Sequence, residues 1–107
     1  MDTPETARAA FDRLAAEQCT AGAQHGRMFG HDGLTVDGHY YAFFDRDCLI
    51  VKLTQDDVAA LVSAAGVTTA AHVSPSMQRT WSCVPADGTG RWRTLLNAAR
   101  ERIRGIG

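Results

Sequence analysis

Two turn signals, Asp37-Gly38 and Asp45-Arg46-Asp47, constrain this chain more than any other feature. Both lie inside Met28 to Leu53, between runs rich in aromatic and branched residues. A two-residue type I′ hairpin needs positive φ at both central residues, which aspartate and glycine tolerate. Leu34-Thr35-Val36, Tyr40-Tyr41-Ala42-Phe43-Phe44 and Cys48 to Leu53 are therefore expected to run as an antiparallel meander. Ahead of it, Met28-Phe29 reads as a short strand stopping near Gly30, with Asp32-Gly33 as a further turn. The run Tyr40 to Phe44 is too continuously apolar for its faces to be assigned by alternation, which implies cover on both sides. Beyond it, Leu49, Val51 and Leu53 share one face and Cys48, Ile50 and Lys52 the other, with Lys52 marking a partly wet side.

The flanking segments carry helical spacing. Thr3 is the expected N-cap of a first helix, with Pro4 at its first position, where a missing N–H costs nothing. Ala7, Ala10, Phe11, Leu14 and Gln18 form its narrow stripe, suited to covering one face of a sheet. Cys19 to Gly26 is read as its end and a turn. A second helix starts from Thr54 as N-cap with Asp57 at N3, places Val58, Leu61, Val62 and Ala65 on one side, and stops at Gly66. Residues 67 to 76 read as a loop. Met77 to Val84 alternates, with Met77, Arg79, Trp81 and Cys83 expected on the core face and Gln78, Thr80, Ser82 and Val84 opposite. Pro85 to Gly90 is a turn into a third helix. There Trp92, Leu95, Leu96, Ala99 and Ile103 make the buried stripe, while Arg93, Arg100 and Arg104 face away. The order α-β-β-β-α-β-β-α, with antiparallel turns, predicts an α+β fold: one domain over residues 1–107, a curved antiparallel sheet flanked by helices.

Composition narrows the classes. A chain of 107 residues with 45% apolar and 21% charged side chains suits one modest core. No run approaches the roughly 20 apolar residues of a membrane span, and MDTPETARAA lacks a signal peptide's apolar centre. The cytoplasm is the expected compartment. Three cysteines, Cys19, Cys48 and Cys83, are odd in number and widely spaced, as befits buried thiols rather than a disulfide framework. The net charge of −1 hides an asymmetry. Residues 1–57 hold five basic and ten acidic side chains, and residues 58–107 hold six basic and two acidic.

Few residues suggest chemistry. Arg79, Arg91, Arg93, Arg100, Arg102 and Arg104 could offer a face to an anionic partner, although basic residues near a helix C-terminus also complement its dipole. His25, His31 and Asp32, with His39 close in sequence, hold imidazole and carboxylate groups of the kind that bind metals, but no short ligand motif joins them. Cys48 and Cys83 fall in expected strands and Cys19 near a helix C-terminus, none of them a setting that favours a thiolate. Ser74, Ser76 and Ser82 lack a nucleophile-elbow context, and Gly26, Gly30 and Gly33 match no phosphate-loop spacing. Asp45 and Asp47 read as solvated turn formers. No cofactor is expected.

Further residues carry a family resemblance. Arg27-Met28-Phe29-Gly30, Gly33 to Gly38, Ala42-Phe43-Phe44 and Leu49 to Leu53 resemble the N-terminal domain family of TfoX, the competence regulator called Sxy in some bacteria. Pro75-Ser76-Met77 and Trp81-Ser82-Cys83-Val84-Pro85 before a helix fit the same pattern, so the likeness runs from about Ala7 to Ile103. It implies an α+β domain similar in architecture to secretion-chaperone-like folds, often standing alone with no assigned activity. The second, helical domain of the full-length regulators is not expected, because the chain stops at Gly107. Two departures stand out: His31 and Asp32 replace a common second glycine, and Ala70 to Ser74 lacks the usual glycine- and lysine-bearing segment.

Three functions follow as expectations. The first is a non-enzymatic interaction or regulatory module that binds a protein partner or a second copy, the latter along an edge strand or through exposed Tyr40 and Tyr41. The second is nucleic-acid binding by the arginine-rich C-terminal helix. The third is a metal-dependent enzyme using His25, His31 and Asp32.

Overall fold

A computed structural model describes residues 6–28, 30–63, 67–70, 77, 79–85 and 89–106. The elements are α1 (Ala7–Thr20), β1 (Gln24–Met28), β2 (His31–Val36), β3 (His39–Asp45), β4 (Cys48–Lys52), α2 (Gln55–Val62), β5 (Thr68–Thr69), β6 (Trp81–Pro85) and α3 (Thr89–Ile106). The six strands form one sheet in the order β1-β2-β3-β4-β6-β5, with antiparallel pairing throughout. The α+β class and the helix-flanked antiparallel sheet are as expected.

Four strands precede α2, one more than the order α-β-β-β-α counts and as many as the segments read as strands, the short piece at Met28 included. What differs is Asp32-Gly33, which forms no turn: both residues lie inside β2 and pair with Arg27 and Gly26. The chain reverses instead after Met28, which pairs with His31, and Gly30 supplies the positive φ of 79°. Strand β1 accordingly begins at Gln24, within the segment read as a turn, and Phe29 lies outside the described residues. The other two hairpins form as the turn signals demand. Asp37 and Gly38 take φ of 53° and 81°, and Arg46 and Asp47 take 51° and 64°.

Helix α1 starts later than Thr3. Its N-cap is Thr6, whose hydroxyl accepts from the Ala9 N–H at 3.0 Å, while Thr3 and Pro4 lie outside the described residues. The N-cap of α2 is as expected, with the Asp57 N–H donating to the Thr54 hydroxyl at 3.1 Å. Ala65 and Gly66 are outside the described residues. Thr68 and Thr69, read as loop, pair with Cys83 and Ser82. The strand expected from Met77 begins only at Trp81, with Arg79 exposed in the turn before it.

The sheet buries both faces. On one, α1 and α3 pack side by side. Phe11, Leu14, Leu34, Val36, Tyr41, Leu49, Val51, Val84, Trp92 and Leu96 form that core, each at most 2% exposed. On the other, Phe43, Ile50, Ala70, Met77, Trp81 and Cys83 cluster, flanked by Tyr40 and Cys48. Full burial of each large apolar side chain stabilises by roughly 1.5–3 kcal/mol, so both faces contribute. Trp81 and Trp92 cover opposite sides. The expected core face of β6 is half the answer, because Ser82 and Val84 opposite it are also fully buried.

A β-bulge resolves the unbroken run in β3. Leu34 pairs with Ala42 and Thr35 with Tyr40, leaving Tyr41 as the extra residue. Tyr41 and Ala42 therefore both join the helix-side core, and Tyr40 and Phe43 join the other. One inserted residue reverses the phase of the strand.

Candidate functional site

Adjacent residues in a strand point to opposite faces, and this separates the pair singled out in β2. His31 lies on the Trp81 side. It stacks on Phe43 with ring centroids 5.7 Å apart, and its Nδ1 is 3.7 Å from the Asp45 carboxylate on the neighbouring strand. Asp32 lies on the helix side and accepts from the Arg8 guanidinium, with Arg27 a further 3.5 Å away. The Arg8 hydrogen bond holds the Asp32 carboxyl below the usual carboxylate range. Arg8 also lies over the Phe44 ring, 5.6 Å from its centroid. His25 pairs with Leu34 and so shares the side of Asp32, not of His31. Among the described residues, no group of three His, Cys, Asp or Glu side chains converges as a metal site would.

The cysteines are free thiols. Cys48 is half-buried beside Cys83 on the Trp81 side. Burial, reinforced by the neighbouring Cys83 and by Asp45 and Asp47, pushes its pKa up to about 12. A thiol in that setting stays protonated at neutral pH and is a poor nucleophile.

The six arginines do not form one face. Arg93 clasps Glu17 of α1 with two hydrogen bonds of 2.9 and 2.7 Å, which holds the Glu17 carboxyl low. Arg100 is held inward, its side chain only 11% exposed. It donates to Gln18 at 2.9 Å, to Asn97 at 3.2 Å and to Glu101 at 3.1 Å. Arg104 lies 3.9 Å from Glu101. The expectation that Arg93, Arg100 and Arg104 face away is corrected for Arg100, which Gln18 of α1 draws inward; Arg93 and Arg104 stay exposed, Arg93 with Glu17 of α1 as its partner. At about 100° per residue, Arg91 and Arg102 sit on a different stripe, together with Leu95 and Ala98. Arg79 stands apart, in the turn before β6.

Tyr41 is not an exposed aromatic. It is fully buried, and its hydroxyl donates to Gln18 Oε1 at 2.7 Å. The bulge turns it inward. Tyr40 is half-buried and lies across the facing glycines Gly26 and Gly33 to donate to the Arg27 carbonyl at 2.6 Å. Its ring serves the sheet edge. Ser82 is buried in β6, and Ser74 and Ser76 lie outside the described residues.

Helix α2 is the element the sequence undersold. Beyond the polar first turn Gln55-Asp56-Asp57, every residue from Val58 to Val62 is apolar, yet only Val58 is buried. Leu61 is half-buried, Ala59 and Ala60 are exposed, and Val62 is 41% exposed. A groove of ≈ 290 Å³ runs between α2 and α3, lined by Leu53, Asp57, Ala60, Leu61, Leu95 and Ala98. A second depression on the far side of α2 involves Val62 and Arg79. The signal was present in the unbroken apolar run from Val58 to Val62, which exceeds what one buried stripe requires.

No helix among the described residues is long and apolar enough to cross a membrane. No family model, no curated protein and no solved structure matches this chain.

Proposed function

We propose that the chain is a non-enzymatic interaction module of regulatory type, acting in the cytoplasm through a protein partner, as its resemblance to TfoX N-terminal domains implies. One observation carries the reading. After its polar first turn α2 is wholly apolar from Val58 to Val62, yet it leaves Ala59, Ala60 and Val62 in water. A partner seated against α2 would remove that surface. The polar groups that invited an enzymatic reading support it too, since His31, Asp32 and Cys48 are engaged in stacking, ion pairing and burial.

The test is capture of partners from cell extract by the folded protein, with and without nuclease, beside a Val62→Asp variant. The expected result is a protein retained after nuclease and lost with the variant. Retention of nucleic acid alone, released by nuclease, would replace this reading with the arginine-helix one, which Arg91 and Arg102 on a shared stripe favour.

A further inference from the structure

We propose that the groove between α2 and α3 docks an amphipathic helix of a partner protein, apolar along one face and acidic toward both ends. The proposal rests on the interaction-module reading and gives one ligand to the side of α2 that faces away from Val62.

The groove's walls determine the kind of occupant. Both are helices, whose central backbone groups are already paired within each helix, so an incoming segment finds side chains rather than a strand edge. An extended peptide would leave its own N–H and C=O groups unpaired against an apolar floor. A helix satisfies its backbone internally and presents only side chains, the helix-in-groove mode. The floor is Leu53, Leu61 and Leu95 with the small Ala60 and Ala98, which permit close approach. At ≈ 290 Å³ the groove falls just below the ~300–1,000 Å³ of small-molecule pockets. It suits a few anchoring side chains better than an enclosed ligand.

Charge sets the polarity. Arg91, Leu95, Ala98 and Arg102 fall within about 60° of one another around α3. The apolar pair is therefore bracketed by an arginine on each side, about 16 Å apart along the axis at 1.5 Å per residue. Both arginines are half-buried, and an arginine whose aliphatic stem is packed can still carry its charge to the surface. A helix of about 12 residues spans that distance, and acids near both of its ends would meet Arg91 and Arg102. Asp57 in the α2 wall disfavours acid there, so the acids are confined to the α3 side.

The experiment uses the full chain and a fluorescent, end-capped helical peptide of about 12 residues, with leucines at i, i+4 and i+7 and glutamates toward both ends. Binding is read by anisotropy. The expected result is saturable binding that weakens about tenfold or more in Arg91→Glu/Arg102→Glu and in Leu95→Asp. A lysine-ended peptide should bind the wild type poorly and recover on the Arg91→Glu/Arg102→Glu protein. That recovery excludes simple misfolding of the variant. Absence of saturable binding, indifference to the charge at the peptide ends, or a duplex oligonucleotide binding more tightly through the same arginines would each overturn the proposal. If the peptide fails while a Val62-dependent protein partner is still captured from extract, the occupant is wrong and the module reading stands. If both fail, the module reading falls with it.

Discussion

The Tyr40 hydroxyl reaches over a cross-strand pair of glycines to donate to the Arg27 carbonyl on the edge strand, at 2.6 Å. The glycines make this possible: a Cβ on Gly26 would lie 2.6 Å from the Tyr40 oxygen, and one on Gly33 3.0 Å from the Ala42 carbonyl. An aromatic ring laid over facing glycines supplies the side-chain packing that they lack. Tyr40→Phe should therefore cost about 1 kcal/mol, the net worth of one hydrogen bond. Gly26→Ala should cost about 1–3 kcal/mol by overpacking. Because the hydroxyl is the nearest atom, the double variant should lose less than the sum of the two. Urea denaturation of all four proteins measures the coupling, and strict additivity would contradict this arrangement.

A polar chain joins the three core elements. Tyr41 and Arg100 both donate to Gln18 Oε1, at 2.7 and 2.9 Å, and Gln18 Nε2 donates to Asn97 at 2.8 Å. Burial and the loss of solvation raise the Tyr41 pKa above that of a free phenol. Tyr41→Phe removes one donor while Arg100 still serves the same acceptor, so a loss near 1 kcal/mol is expected. Gln18→Leu leaves the Tyr41 hydroxyl and the inward-held Arg100 without that acceptor, and should cost about 2–4 kcal/mol. Comparable losses in the two variants on chemical denaturation would show that Gln18 is not the hub.

Acid should weaken the clamps between α1 and its neighbours. The carboxyls of Asp32 and Glu17 are held low by Arg8 and Arg93 respectively. A depressed folded pKa contributes stability that is present above the unfolded values, about 3.9 for aspartate and 4.3 for glutamate. It is lost as pH falls through the lower folded values. Both pairs are close to solvent, so the effect is small and screened by salt. Asp32→Asn and Glu17→Gln should each be less stable than wild type at pH 7, with the difference vanishing at about pH 2. Unfolding curves at low and high salt across that range measure it, and a deficit that persisted in acid would point to packing rather than charge.

Much of the fold was legible in the chain because local rules acted alone. Asp37-Gly38, the Thr54–Asp57 cap and the Trp92–Leu96–Ala99–Ile103 stripe each form as their local chemistry dictates. The misplaced features depend on partners distant in sequence. Asp32-Gly33 has turn composition, but Gly33 is needed where Ala42, Phe43 and Tyr40 crowd it. The bulge at Tyr41 is set by pairing with β2 and leaves no mark in the apolar run Tyr40 to Phe44. Arg100 is drawn inward by Gln18, which lies on the other helix. At the candidate site, the apolar run of α2 was visible, but its exposure follows only from where α3 and β6 stop covering it.

The Cys48 thiol on the Trp81 face should react sluggishly with thiol reagents. Cys48 sits beside Cys83 with its pKa pushed up to about 12, chiefly by burial. A free cysteine has a pKa of about 8.5, so near pH 8 roughly a quarter is thiolate. A pKa pushed up this far leaves only a trace of thiolate at the same pH. An aromatic disulfide reagent at pH 8 should therefore modify Cys48 at least about a hundredfold more slowly in the native protein than in urea. The native rate should keep climbing between about pH 9 and 11, where a free thiol has levelled off. Cys19→Ser/Cys83→Ser isolates the Cys48 signal, and comparison with Cys19→Ser, which keeps Cys83, shows whether the second thiol contributes to its suppression. Removing Cys83 should speed the reaction modestly, because burial outweighs the neighbour. Rapid native labelling of Cys48 at pH 8 would mean that its surroundings do not hold the thiol protonated.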